Sequence, residues 1–293
     1  MAVRKASGAR KPALARSMLL AGTVAISVSC SQDNVPLIER INTWRAGSQT
    51  CNGQTTTALG PLAPSSALAA VDIGSPQQQL DEALRHAGYA ASRAQAIVLS
   101  GPANPAAAMG VLKDRYCNVL ASSQYSEIGI ARNGSTWRLV FAQPLVPADL
   151  GGWAYAGKEV LALVNEARAQ PRTCGNQKFA PAPPLQWSGK LGSIALGHSR
   201  DMAMRNYFAH TAKDGSTVQD RATREGYEWS AIGENIAAGQ GSVGSVVLSW
   251  LASADHCVNI MKPEFSEMGA AYVVNETSDA GIYWTQVFGK AQR

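Results

Sequence analysis

The chain has 293 residues, 46% hydrophobic and 16% charged, a composition that fits globular protein and excludes a disordered or low-complexity chain. Its formal charge of +5 does not point to nucleic acid, because Arg4, Lys5, Arg10, Lys11 and Arg16 fall in the first sixteen residues, where there is no acid. The remainder carries 21 basic against 21 acidic residues, so it has no net attraction for DNA, RNA or acidic lipid.

In chain order, the basic start is followed by "SMLLAGTVAISVS" (17–29), a mostly apolar stretch too short to span a bilayer. Residues 1–30 are therefore expected to be a secretory signal, which makes the chain an exported one. Two endings stay open. Ser27 and Ser29 fit a small-x-small cleavage site, while Cys30 followed by "SQDN" fits a lipoprotein cysteine as lipid anchor, although Ser27 stands where that pattern prefers Leu, Val or Ile. No later stretch is apolar enough for a transmembrane helix. The expected locations are periplasm, outer membrane through a lipid anchor, or extracellular space.

The rest of the chain is written twice. "PLIERINTWRAGSQTCNGQ" (36–54) lies over "EVLALVNEARAQPRTCGNQ" (159–177) at a constant offset of 123, matching Asn42 to Asn165, Arg45 to Arg168 and Cys51 to Cys174. Further on the offset is about 140: "HAGY" answers "REGY", Cys117 answers Cys257, and "SEIGIA" answers "SEMGAA". "STWRLVFAQ" (135–143) answers "IYWTQVFGK" (282–290). The expected layout is a first copy at 31–148, a Pro/Gly linker at 149–157 and a second copy at 158–293. With Cys30 set aside as a processing residue, four cysteines remain. If each copy is a fold of its own, the pairing is Cys51 with Cys117 and Cys174 with Cys257. Each bridge closes a loop of more than sixty residues, a constraint on the order of 3–5 kcal/mol in the chain-entropy model.

In the second copy, Val160, Leu161, Val164 and Ala167 have helical spacing within 158–170, and Pro171 ends that helix. A second helix is expected over 189–208, with Leu191, Ala195, His198 and Met202 on one stripe, and a third over 242–256. "MGAAYVVN" and "GIYWTQVFG" are β-branched and aromatic, hence strands. Helices with a small antiparallel sheet give an α+β fold or a three-layer sandwich.

The second copy also holds, in order, "GHSRDMAMRNYFAHTAKDGS", "REGY", "GENIAAG", "WLASADHCVNIM", "EFSEMGAAY" and "YWTQVFG". Over roughly 158–290 this series resembles the bacterial branch of the CAP superfamily, the SCP-like extracellular domain of cysteine-rich secretory, antigen 5 and pathogenesis-related proteins. The resemblance implies an α-β-α sandwich with a cleft carrying His and acidic residues, and makes the first copy a reduced CAP-like domain. It places the first His at His210 and the first acid at Glu234. Where the second acid of animal and plant members would stand there is Ser253, and where their second His would stand there is Tyr283. Bacterial members carry a His in a "WxxSxxH" segment, here His256.

The expected cluster is thus His210, Glu234 and His256, with His198 as a weak fourth member. Two imidazoles and a carboxylate could hold Zn²⁺ or another divalent metal, or act as an acid/base pair, or brace the loops of the cleft. The first copy has Gln95 near the place of Glu234, Tyr116 in place of His256, and lacks the stretch holding His198 and His210. GxSxG, HExxH and P-loop motifs are absent. The leading expectation is a non-enzymatic binding module for an envelope ligand (lipid, peptidoglycan or protein). The rivals are a metal-dependent hydrolase using His210, Glu234 and His256, and a structural tandem pair whose first copy covers the cleft.

Overall fold

The computed structural model describes residues 35–73, 78–146 and 150–292. The expected signal segment and Cys30 lie outside them, as do three residues of the segment joining the copies. Among the described residues no helix is long and apolar enough to cross a membrane.

The first copy runs α1 (Val35–Arg45), β1 (Gln49–Cys51), β2 (Gln54–Thr56), β3 (Ala63–Pro64), α2 (Ser66–Ala70), α3 (Gln78–His86), β4 (Ala91–Ser100), α4 (Pro105–Arg115), α5 (Cys117–Leu120), β5 (Glu127–Asn133) and β6 (Thr136–Pro144). The second runs α6 (Trp153–Arg168), β7 (Arg172–Cys174), β8 (Gln177–Phe179), β9 (Gln186–Trp187), α7 (Gly189–Met204), α8 (Val218–Arg224), β10 (Trp229–Ala238), α9 (Val243–Leu251), α10 (Ala254–Met261), β11 (Glu267–Val274) and β12 (Ile282–Ala291). Each copy builds a short hairpin and a four-stranded sheet, with strand orders β3-β5-β6-β4 and β9-β11-β12-β10. The fold is α+β.

In the second copy the sheet is covered on both faces. Met268, Ala270, Tyr272, Trp284 and Phe288 meet α6, α9 and α10, whereas Ala271 and Val287 meet α7 and α8. That double cover explains why β12 is buried from Ile282 to Gly289, the polar Thr285 and Gln286 included. Gly269 sits where α7 crosses β11 so closely that a Cβ would lie 2.0 Å from Gly192 N. Gly129 of the first copy meets Leu68 in the same way, at 2.1 Å from its carbonyl carbon. This close approach is the physical content of the paired "SEMGAA" and "SEIGIA" segments.

The repeat is reproduced bond for bond. Asn42 Oδ1 accepts from Leu62 N at 2.8 Å while Asn42 Nδ2 donates to Leu62 O at 3.0 Å, and Asn165 does the same with Leu185 at the same distances. Arg45 donates to the carbonyls of Gly60, Leu120, Ser122 and Tyr125, and Arg168 to those of Pro183, Ile260, Lys262 and Phe265. Both guanidiniums are buried and gather carbonyls that would otherwise lack donors. Two disulfides close the copies as the repeat implied, Cys51–Cys117 with Cα atoms 5.7 Å apart and Cys174–Cys257 at 5.5 Å.

Several local expectations are corrected. Residues 153–157, assigned to the linker, form the first turn of α6. The helix expected over 189–208 stops at Met204, and Asn206 then turns left-handed with φ 46°. The helix expected over 242–256 breaks at Ala252 and Ser253. There Ser253 is extended (φ −117°, ψ 124°) as the N-cap of α10, and the Ala252 carbonyl accepts Asn42 Nδ2 from the first copy at 3.1 Å. Strand β10 and helix α8 come from a stretch that periodicity left as loop. α8 is only seven residues long, and a capping box between Thr217 and Asp220 opens it.

Candidate functional site

β10 is an edge strand of its sheet, and alternation along it sorts the site. Ile236 packs with Met202 and Ala203 of α7, so Glu234, two residues before it, faces the same layer. Asn235 faces the opposite layer, that of α10. The Glu234 side chain is only 2% exposed, and a buried carboxylate needs partners. It has them on both oxygens: Oε1 accepts from His210 Nδ1 at 2.9 Å and Oε2 accepts from Arg221 Nη2 at 2.6 Å. His198 Nε2 lies 3.9 Å from Oε1. Burial alone would push the Glu234 carboxyl up. The His210 hydrogen bond and the charges of His198, Arg221 and His210 outweigh it and hold the group below its ordinary value.

Arg221, on α8, was not anticipated. Besides Glu234 it donates to the carbonyls of His210 (both Nη atoms at 3.3 Å) and Ser216 (2.9 Å), so it pins the loop that carries His210. Asp201 secures the same loop by accepting from the Tyr207 hydroxyl and Lys213 N. The signal that could have revealed Arg221 is electrostatic: a buried acid on a strand requires a cation, and α8 is the nearest segment offering one.

His198 is 1% exposed, and its Nε2 lies 3.0 Å from Ala209 O. A carbonyl can only accept, so Nε2 carries the proton and buried Nδ1 is left without a partner. Burial, partly countered by Glu234, pushes its pKa below the ordinary value. His210 is different: its side chain is 56% exposed, and with Nδ1 donating to Glu234 its Nε2 edge has no hydrogen bond among the described residues. The expectation that the first copy covers the cleft therefore does not hold for His210.

His256 is placed from the other layer. Asn235 Nδ2 donates to the His256 carbonyl at 3.2 Å, while Asn259 Nδ2 donates to Glu234 O at 3.2 Å and Asn235 Oδ1 at 3.0 Å. These bonds stitch α10 to β10. Burial, then the nearby His210, lowers the His256 pKa to about 3, and its buried Nδ1 has no partner. Among the described residues it makes no bond to Glu234, because the two side chains start from opposite faces of the sheet. The expected triad is thus a His210–Glu234–Arg221 network, with His198 beside it and His256 near His210 only.

This arrangement does not fit a metal. Both Glu234 oxygens are occupied, one by a guanidinium cation, and Nε2 of His198 is a donor. Among the described residues no group of three or more His, Cys, Asp or Glu side chains is arranged to hold an ion. Tyr283 donates its hydroxyl to Asn206 Oδ1 at 3.2 Å, and Ser253 is the N-cap residue of α10 with a side chain that carries no charge, so neither substitutes for the missing His and acid. In the first copy the position answering Glu234 is Ala96 rather than Gln95, since Ala96 pairs with Val140 as Glu234 pairs with Val287.

The sequence model of CAP, the cysteine-rich secretory protein family, matches residues 161–288. Among curated relatives, uncharacterized protein YkwD of Bacillus subtilis is 36% identical over 105 residues, 36% of this chain and 39% of that protein. Uncharacterized membrane protein YlbC of the same organism is 31% identical over 85 residues, 29% of this chain and 25% of that protein. The chain thus spans well under half the length of these relatives. Of solved structures, an extracellular protein containing a SCP domain from Bacillus anthracis is 24% identical, with a TM-score of 0.41, covering 54% of this chain and 52% of that one. An outer surface protein of Borrelia burgdorferi is 21% identical, with a TM-score of 0.37, covering 46% and 95%.

Proposed function

We propose that the chain is an exported envelope protein of the bacterial branch of the cysteine-rich secretory protein (CAP) family, whose sequence model matches residues 161–288, and that its second copy is a non-enzymatic binding module. The first copy, with boundaries near 31 and 148, is a reduced CAP-like domain that supports it. The observation that carries this reading is the bonding of Glu234. A general base needs a carboxylate oxygen within reach of a substrate proton, and a metal ligand needs a free lone pair aimed at the ion. Glu234 meets neither need: its oxygens are taken by His210 and Arg221, and its side chain is out of solvent. Its effect is to hold His210 in one orientation with the exposed ring edge outward. A fixed imidazole at a cleft mouth is a recognition element. The two disulfides support a location outside the cytoplasm.

The test is co-sedimentation of the mature chain with purified peptidoglycan sacculi and, separately, with phosphatidylethanolamine/phosphatidylglycerol vesicles. Wild type is expected to sediment with one of the two, and His210→Ala to sediment clearly less. Equal sedimentation of both proteins would remove the cleft from binding. A hydrolytic activity that disappears with Glu234→Gln would reinstate the enzyme reading.

A further inference from the structure

The two copies enclose a cavity of about 360 Å³ that depends on both of them. The first copy contributes the loop from Thr56 to Gly60 together with Tyr125, and the second contributes Asn206–Phe208, Asp279 and Tyr283. None of His198, His210, Glu234 and His256 lines it, so it is separate from the cleft network. Its size falls within the range of small-molecule pockets, roughly 300–1,000 Å³, and such pockets favour domain interfaces.

The walls are held firmly. Asn206 is one of two non-glycine residues with positive φ among the described residues, at 46°. Its Oδ1 accepts from Asp279 N at 2.9 Å and from the Tyr283 hydroxyl at 3.2 Å, which offsets the strain and ties two wall segments together. Phe208 closes against Gly60 of the first copy, where a Cβ would lie 3.3 Å from the ring. The copies themselves are joined beside the cavity: Ser126 Oγ donates to Gly239 O at 2.8 Å, Gln240 Nε2 to Pro61 O at 2.9 Å, and Gln143 Nε2 to Ala280 O at 3.3 Å.

The chemistry of the lining selects a ligand. Its cation, Arg45, is 2% exposed and donates to four carbonyls, which leaves it no role toward an anion. Asp279 is exposed and would repel a phosphate or carboxylate. A hydrocarbon chain would have to strip water from Asp279 and Thr57 without replacing it. What remains is the aromatic rings of Tyr125, Tyr207 and Phe208, interleaved with the exposed Asp279 carboxylate, the Asn206 carboxamide and the Thr57 and Ser123 hydroxyls. Sugar rings match this pattern, with C–H faces for the rings and hydroxyls for the polar groups. We infer that the cavity between the copies binds a short neutral saccharide, with Asp279 accepting hydrogen bonds from its hydroxyls.

The experiment is calorimetric titration of the full mature chain, disulfides intact, with triacetylchitotriose and with maltotriose at millimolar concentration. At least one is expected to bind saturably. Asp279→Asn should weaken that binding about tenfold, the loss of one charge-assisted hydrogen bond, and Thr57→Trp should fill the cavity and abolish it. His210→Ala should leave it unchanged, which separates this site from the cleft. Both Asp279 and Thr57 are exposed, and an unaltered urea midpoint confirms that each variant is folded. Failure of both trisaccharides to bind overturns the inference, as does binding indifferent to both cavity variants. Binding of a tetralysine peptide in their place would also overturn it, by assigning the cavity to a cationic peptide.

Discussion

Arg221 Nη2 lies 2.6 Å from Glu234 Oε2, with the guanidinium side chain 10% and the carboxylate 2% exposed. A pair this buried gains little over an apolar one, but removing one partner strands the other's charge. Arg221→Met is therefore expected to cost about 3–5 kcal/mol. Glu234→Met added to it should recover much of that loss. Urea denaturation of the single and double variants checks both statements.

His256 gives the protein an acid-sensitive element. Its folded pKa, about 3, is depressed from 6.5, so below 6.5 the unfolded chain takes a proton that the native state refuses. Stability accordingly falls as pH drops toward 3, with a slope of up to ~1.4 kcal/mol per pH unit from this group. His198 and Glu234, both also lowered, act in the same direction. His256→Tyr, which installs the residue found at position 116 of the first copy, should flatten the slope between pH 6.5 and 5. Urea midpoints at pH 7, 6 and 5 measure it.

The Cys174–Cys257 bridge spans 83 residues and anchors α10 to the β7–β8 hairpin. Cys174→Ser with Cys257→Ser should destabilise the second copy by roughly 4–5 kcal/mol in the chain-entropy model. Asn259 and Asn235 still hold α10 to β10, so the reduced protein should unfold earlier in urea rather than lose its fold outright.

Gln240 couples the copies, donating from Nε2 to Pro61 O and Ser126 O while its own carbonyl accepts from Trp284 Nε1. Gln240→Ala takes the donor from the buried Pro61 carbonyl, while Ser126 O keeps its bond from Ala63 N, at about 1–3 kcal/mol. A single urea transition in the wild type should then split into two. The separation is read by Trp fluorescence against far-UV circular dichroism.

Metal content offers a direct check on the site's chemistry. Protein refolded with zinc and then desalted is expected to retain no stoichiometric metal, and His210→Ala/His256→Ala should give the same result. Stoichiometric zinc lost in that variant would show that His210 leaves Glu234 to bind the ion.

The duplicated plan was legible because its landmarks are local and chemically distinctive. An Asn and an Arg three residues apart, then a Cys, recur at fixed offsets, and each does the same work in both copies. The disulfides followed from that repeat. Arg221 was not legible, since nothing in "VQDRATR" distinguishes a buried arginine from a solvated one. The break between α9 and α10 was equally hidden, because its Ala252 carbonyl accepts a hydrogen bond donated by Asn42 of the other copy, 210 residues away.

The sequence by itself determined two α+β copies and their cysteine pairing, while only its resemblance to the CAP family put His210 and Glu234 in one cluster. Periodicity and repetition are recorded in the order of residues. Only the tertiary structure decided what those residues do to one another. Alternation on the edge strand β10 turns Glu234 toward α7 and α8, where Arg221 and His210 reach it, and turns Asn235 toward α10. His256 is thereby left on the other side of the sheet, near His210 but unbonded to Glu234. Which face of a strand a side chain takes, and which cation meets a buried acid, depend on packing between elements far apart in the chain.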